Sequence, residues 1–365
     1  MKGCGRFRVP ILDATMQQAS RHTNTTNGDN PMRPILRTLA VAVSLSCALA
    51  AHPALADDGG KITIMVGGIA KLIYLPARLT QELGYFKAEG LDVELLSQPA
   101  GVDAENELLA GAVQAVVGFY DHTIDLQSKG KDVKAIAVFG QVPGEVEMVS
   151  TKAAPTFKSM ADAKGKTLGV TGLGSSTSFL TQYLALQHGV PSTQYTMLPV
   201  GADASFIAAI KQGRIDAGMT TEPTVSALEK MGDAKVLVDM RTVDGTRAAL
   251  GGTYPAASLY VQSAWADSHK AQATRLAHAF AKTMQFIHTH SAEEIAAKMP
   301  ADYQKDKALY VAALKASLPM YTADGKMPAD GPATVLKVLS AFNPSVKGKH
   351  IDLARTYTNE FVAAK

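Results

Sequence analysis

The chain has 365 residues, 47% of them hydrophobic and 19% charged, and 36 Lys and Arg against 33 Asp and Glu give a formal net charge of +3. Such a composition belongs to a folded globular protein long enough for two domains with a sizeable core. The charge surplus is too small to indicate a nucleic-acid or acidic-membrane partner.

In chain order, Arg33 and Arg37 precede an apolar run at 39–51 that ends in Ala54-Leu55-Ala56. A positive start, a short apolar stretch and a small-x-small site predict a secretory signal peptide at 32–56, cleaved after Ala56. The polar residues 1–31 lie upstream of that signal and are expected to be a non-native extension, with the true start at either Met1 or Met32. The run is too short for a membrane span, and no later stretch reaches the roughly 18 to 20 apolar residues a span needs. Residues 1–56 hold six Lys and Arg and two Asp and Glu, so their removal leaves 30 against 31 and a net charge of −1. Both cysteines, Cys4 and Cys47, fall in the removed part, which leaves no thiol, disulfide or cysteine metal ligand.

The mature part then alternates strand and helix signals. Period-two or short apolar runs predict strands at 61–66, 91–95, 113–119 and 133–139, with helices at 76–83, from 101 to 111 and at 123–128. The run 145–151 follows Pro143-Gly144 and reads as a linking strand into a second block. That block repeats the pattern with strands at 167–171, 195–200, 215–219 and 235–239, and a strand at 254–262 returns to the first. From Asp267 the chain becomes helical. Leu276, Phe280, Met284 and Ile287 form one apolar stripe, Ser291 to Glu294 is a capping box, and Pro332 starts a further helix. A last helix is predicted over 351–362. Alternating strands and helices predict α/β layers with mostly parallel sheets.

The loop 172–178, Gly-Leu-Gly-Ser-Ser-Thr-Ser, joins a predicted strand to a predicted helix. Its glycines let backbone approach a ligand, and its hydroxyls sit where unpartnered N–H groups and the positive end of the helix dipole attract an anion. The plainer alternative is that Ser175 or Ser176 only caps the helix. Gly101-Val102-Asp103-Ala104 offers a second such helix start with the same two readings.

The run from Pro76 to Glu94, with its Gly84-Tyr85-Phe86 and Glu89-Gly90-Leu91-Asp92-Val93, resembles the sulfonate, nitrate, taurine and thiamine-precursor family of ABC-transporter substrate-binding proteins. The loop 172–177, Gly213 to Ala217, Glu222-Pro223 and the closing Tyr357 to Phe361 are similar to that family's second lobe and C-terminus. The resemblance implies a two-lobed type II periplasmic-binding-protein fold, with mostly parallel sheets flanked by helices and two crossing hinge strands near 145–151 and 254–262. Lobe one would be 61–144 and 260–365, and lobe two 145–259.

It also implies a monomeric periplasmic receptor without cofactor, metal or catalysis, which takes a small molecule to an inner-membrane ABC permease. Ligand-lining positions would be Gly68, Lys71, Tyr74, Gly101, Val102, Tyr120 and His122 from lobe one. Gly174, Ser175, Ser176, Thr177, Asp203 and Glu222 would face them from lobe two. Lys71 is either an anion contact or a solvated lysine, and the plainer alternative for Tyr120 and His122 is that one of them only packs under the lobe. Asp203 is read chiefly as a cap, while Glu222 would balance a ligand amine or pair with a lysine. The loop hydroxyls and the lysine favour a small organic anion, and Tyr74, Tyr120 and Tyr254 keep an aromatic or pyrimidine ligand open.

An enzyme on the same scaffold is the competing class. Pyrimidine-synthase relatives rely on cysteine and histidine motifs, and a mature chain without cysteine has no thiolate nucleophile. His278, His288 and His290 do not share a helix face as a metal site would require. Gly172-Leu173-Gly174 lacks the third glycine of a dinucleotide loop, because Thr177 stands there.

Overall fold

The computed structural model describes residues 60–363, so the expected signal peptide at 32–56 and the expected extension at 1–31 lie outside the described residues. Ten strands form in chain order: β1 (Ile62–Val66), β2 (Val93–Ser97), β3 (Ala115–Phe119), β4 (Val133–Val138), β5 (Glu145–Ser150), β6 (Thr167–Val170), β7 (Thr196–Pro199), β8 (Ala217–Thr221), β9 (Ala234–Asp239) and β10 (Ala257–Gln262). They make two five-stranded sheets, in the order β2-β1-β3-β10-β4 and β7-β6-β8-β5-β9.

Within each sheet a single strand runs against the others. β10 is antiparallel to β3 and β4, and β5 is antiparallel to β8 and β9. The reason is topological. Each is the strand by which the chain arrives from the other sheet, so it enters from the opposite end while the remaining strands are joined by helical crossovers. Each also carries a register shift, between Leu259 and Tyr260 in β10 and between Glu147 and Met148 in β5. The crossing strands expected from the sequence are therefore present, and the sheets are mixed by one strand each.

Three apolar clusters hold the layers together. On one face of the first sheet the Lys270–Thr289 helix buries its predicted stripe, and Phe280 stacks on Phe139 with centroids 4.7 Å apart. A second cluster runs under both sheets, because Val335, Val338 and Leu339 of the Gly331–Phe342 helix pack with Leu180 and Leu184 of the Ser176–Gln187 helix. The third, with Val146, Met148, Phe206 and Leu228, belongs to the second sheet alone. The capping box at Ser291 and Glu294 forms as predicted.

The predicted 351–362 helix does not form. Asp352 caps a three-residue turn at Leu353–Arg355, Tyr357 runs extended beside Ala135 of β4, and only Glu360–Ala363 is helical. The backbone N–H of Ala135 and of Thr358 are satisfied in this pairing, by Thr356 O and Ala135 O. Edge pairing with β4 thus replaces helical bonding. Helices Thr224–Met231, Val243–Leu250 and Lys307–Ser317 were absent from the sequence reading. Among the described residues no helix is long and apolar enough to cross a membrane.

Candidate functional site

The C-terminal ends of the parallel strands of both sheets meet at one seam, the place where open α/β sheets hold ligands. From the first lobe, the turn after β1 brings Lys71 and Tyr74, the helix start after β2 brings Gly101, and the helix start after β3 brings Asp121 and His122. The second lobe brings Glu145 at the head of β5, Thr171 and the Ser175 to Thr177 loop after β6, and Thr221 at the end of β8. Lys71, Tyr74, Gly101, His122, Glu145, Ser175, Ser176, Thr177 and Thr221 line one interior space of about 10 Å³, enough for about one water.

Two wider openings flank it. One, of about 230 Å³, is lined by Val102, Glu105, Gly174, Phe179 and Phe342. The other, of about 290 Å³, is lined by Gly68, Ser97, Gly201 and Asp203. The lobes are nearly in contact between them, since a Cβ on Gly172 would stand 3.0 Å from the Ala100 Cβ across the seam. Leu72 N also donates to Glu222 O over the same gap, at 2.9 Å.

Of the residues read from sequence, seven reach the interior: Lys71, Tyr74, Gly101, His122, Ser175, Ser176 and Thr177. Lys71 is not a surface lysine. It is 4% exposed and donates to Gly67 O at 2.7 Å and Pro99 O at 3.0 Å, and burial lowers its pKa to about 8 against the raising charges of Asp203, Glu145 and Asp103. Gly68 permits this, because a Cβ there would stand 2.5 Å from the Lys71 Cε, at a φ of +115°.

His122 hydrogen-bonds Glu105 through Nδ1, while its buried Nε2 has no partner. Burial would lower its pKa, but the Glu105 charge and hydrogen bond outweigh burial and hold it at about 9. The imidazole is therefore a cation at neutral pH, with one N–H free at the interior.

The hydroxyl loop lines the interior but does not cap its helix. Ser175 occupies the N-cap position, yet its hydroxyl donates to Gly172 O at 2.6 Å and meets Thr177 Oγ1 at 2.8 Å instead of capping. Thr177 Oγ1 accepts from Thr171 N at 3.0 Å. Ser176 instead crosses the seam, donating to Asp121 Oδ1 at 2.8 Å.

The other predicted residues lie elsewhere. The Tyr120 hydroxyl bonds Thr356 Oγ1 at 2.5 Å and its ring packs edge-on to Tyr357, so it is the member of the Tyr120/His122 pair that packs under the lobe. Asp203 is not a cap: Ala202 holds that position, and Asp203 Oδ1 accepts from Thr224 at 3.3 Å. Glu222 pairs with an arginine, not a lysine. It accepts from Arg241 Nη1 at 2.5 Å and from Ser226 N and Oγ at 3.0 and 2.9 Å. Gly68 and Asp203 line one flanking opening, Val102 and Gly174 the other.

The sequence reading missed Glu145, Asp121 and Glu105. Glu145 is 2% exposed, its Oε2 has no hydrogen-bond partner, and burial, with the charge of Asp121, raises its pKa well above the carboxylate range. Asp121 is fully buried between the hydroxyls of Ser176 and Tyr254, the latter donating at 2.8 Å. A visible signal existed for Glu145 and Glu147: two acids at alternate positions of an otherwise apolar strand have no ordinary place in a sheet buried on both faces. Among the described residues no group of His, Cys, Asp and Glu is arranged to hold a metal ion.

Comparison with known proteins places this geometry. The family model described as "NMT1/THI5 like" matches residues 74–294. A protein of known structure from Bordetella bronchiseptica RB50 is 37% identical, over 83% of this chain and 95% of that one, with a TM-score of 0.79. The alkanesulfonate-binding protein SsuA from Xanthomonas axonopodis pv. citri, bound to MOPS, is 18% identical over 82% of this chain and 98% of its own, with a TM-score of 0.63. The periplasmic nitrate-binding protein NrtA from Synechocystis PCC 6803 is 12% identical over 83% and 87%, with a TM-score of 0.60. These likenesses show the fold to be that of periplasmic binding proteins. Among curated proteins, the 4-amino-5-hydroxymethyl-2-methylpyrimidine phosphate synthase of Aspergillus parasiticus is 30% identical over 166 residues, 44% of this chain and 46% of that protein. The THI13 synthase of Saccharomyces cerevisiae is 26% identical over 164 residues, again 46% of its length. The chain thus spans about half the length of the curated relatives it matches.

Proposed function

The chain belongs to the NMT1/THI5-like family, and from that premise we propose that it is a periplasmic solute receptor of an ABC importer, which binds a small planar nitrogen heterocycle between its lobes and passes it to the permease without chemistry of its own. The observation that carries the ligand class is the pair of unpartnered buried atoms at the interior, Glu145 Oε2 and His122 Nε2. Buried polar atoms left without a partner are costly, and a ligand that supplies the partner recovers that cost on binding. A protonated Glu145 beside the His122 N–H suits a ring that both donates and accepts.

The basic side chains argue the same way. Lys71 already donates to Gly67 O and Pro99 O and His122 bonds Glu105 through Nδ1, beside the buried carboxyl groups of Asp121 and Glu145, so neither charge is left over for a sulfonate or nitrate. What favours an anion is the helix start at Gly101 and that at Ser176, both of which open on the interior. Opening of the lobes is required in either case, since about 10 Å³ holds no such ligand.

The test is a thermal-shift and calorimetric screen of the purified protein against aminopyrimidines, aromatic carboxylates, alkanesulfonates and nitrate. A ligand present at 100 times its Kd stabilises by about 2.7 kcal/mol. Stabilisation by aminopyrimidines and none by nitrate or sulfonates is expected. The reverse ranking would return the ligand to the anion class, and turnover of any bound compound would overturn the receptor reading.

A further inference from the structure

One buried carboxylate touches three parts of the molecule that must move relative to one another when the lobes separate. Asp121 starts the Asp121–Ser128 helix of the first lobe and is completely buried. Its Oδ1 accepts the Ser176 hydroxyl, which starts the Ser176–Gln187 helix of the second lobe, at 2.8 Å. Its Oδ2 accepts the hydroxyl of Tyr254, in the returning crossover just ahead of β10, also at 2.8 Å. The nearest charge is His122, whose Nε2 stands 3.9 Å from Oδ1.

The neighbouring hydroxyls make the contrast. Ser175 and Thr177 satisfy themselves within their own loop, on Gly172 O and Thr171, so lobe separation leaves their bonds intact. The Ser176 bond exists only while the lobes are shut. A hydroxyl given to a buried carboxylate is worth more than a neutral bond. Shape complementarity at Gly172, the Leu72 N to Glu222 O bond and a Lys230 to Asp306 ion pair also bring the lobes together, but both members of that pair are exposed and screened by solvent, whereas Asp121 is completely buried.

We propose that Asp121 is a closure latch, a positioning residue that stabilises the closed arrangement of the lobes by accepting the Ser176 hydroxyl, while Tyr254 keeps the carboxylate aimed across the seam. This inference rests on the two-lobed fold and not on the nature of the ligand.

The test uses ligand-free protein and therefore cannot fail merely because the ligand class is misassigned. Spin labels at Ala88→Cys and Gln212→Cys, both exposed and one in each lobe, report lobe separation by double electron–electron resonance. The expected result is a short-distance, closed population in the otherwise unaltered protein. Ser176→Ala raises the open-to-closed ratio about tenfold or more. Ser176→Thr, which keeps the hydroxyl, restores the short distance, and Tyr254→Phe gives an intermediate distribution. A folded Ser176→Ala protein with an unchanged distance distribution overturns the latch, as does a Ser176→Thr protein that opens as far as Ser176→Ala. Should Asp121→Asn fail to fold, the serine pair still decides the matter.

Discussion

Glu222 and Glu145 stand at opposite ends of the same idea. Both are acids buried to within 2% at the seam, one at the end of β8 and the other at the head of β5, where Glu145 is in register with Thr221. Glu222 is satisfied by Arg241 and Ser226, whereas Glu145 keeps one oxygen with nothing to bond. The difference teaches that a carboxyl beside a cleft is recognised as a ligand contact by what the protein leaves unpaired, not by its position in a motif. Glu222 is architecture. Glu145 is the one the structure leaves available.

The first way to break this comparison is to remove the partner of the satisfied acid. Arg241 also binds Asp239, through Nη2 at 2.6 Å, and its side chain is 13% exposed. Arg241→Ala strands the Glu222 charge in a place that is 1% exposed, at a cost of about 3 kcal/mol or more. Urea denaturation followed by circular dichroism measures the loss, and ligand affinity of the molecules that remain folded should change far less than stability. An Arg241→Ala protein of normal stability with no ligand affinity would exchange the roles assigned to the two glutamates.

A third buried acid sharpens the comparison by pH. Glu147 follows Glu145 by two residues on β5, with one oxygen accepting from Thr181 at 3.1 Å and the other unpartnered. Burial, partly offset by that hydrogen bond, raises its pKa to about 8. Between the ordinary carboxylate value and 8 the folded state keeps a proton that the unfolded state has released. Stability therefore falls as pH rises through that window, by at most about 1.4 kcal/mol per unit from this group, and the loss is complete above 8. Glu147→Gln should flatten the difference between urea midpoints at pH 5 and pH 8. An equal slope in both proteins would show that Glu147 is already ionised when folded.

Glu145 itself should behave in the opposite sense to Glu222. Glu145→Gln replaces a neutral acid with a neutral amide of the same shape, so stability should stay within about 0.5 kcal/mol while affinity falls about tenfold, the worth of one hydrogen bond. Calorimetry with the ligand found by screening, set beside a denaturation curve, reads both. Lost stability with unchanged affinity would make Glu145 a structural residue.

These cases also mark how far the sequence carried the reading. Alternating apolar residues located all ten strands within a few positions, since a core-facing pattern is local information. The Lys270–Thr289 stripe was equally legible. The 351–362 segment was not, because its extended Tyr357 depends on β4, more than 200 residues away. The site divides along the same line. The 175–177 loop was read from its place between strand and helix, and Lys71 and His122 from the family resemblance, but the Arg241 partner of Glu222 and the Glu105 partner of His122 come from folded proximity that spacing does not encode. The two acids of β5 were visible in the sequence and unread, although a charged residue on a buried strand is itself a signal.

The smallest expected effect concerns the loop that looked most functional in the sequence. Ser175 is 3% exposed and its hydroxyl serves Gly172 O, Thr171 and Thr177, so it holds the loop's shape from within. Ser175→Ala should cost about 1 kcal/mol of stability, the net value of such a bond, and shift affinity less than threefold. The helix amides beside it remain, because the serine never capped them. If affinity instead fell more than tenfold while the urea midpoint held, the hydroxyl would have to turn from Gly172 toward the ligand on binding. The loop would then contribute a second lobe-two contact that the closed seam conceals, and Glu145 would share the ligand with it instead of taking it alone opposite His122.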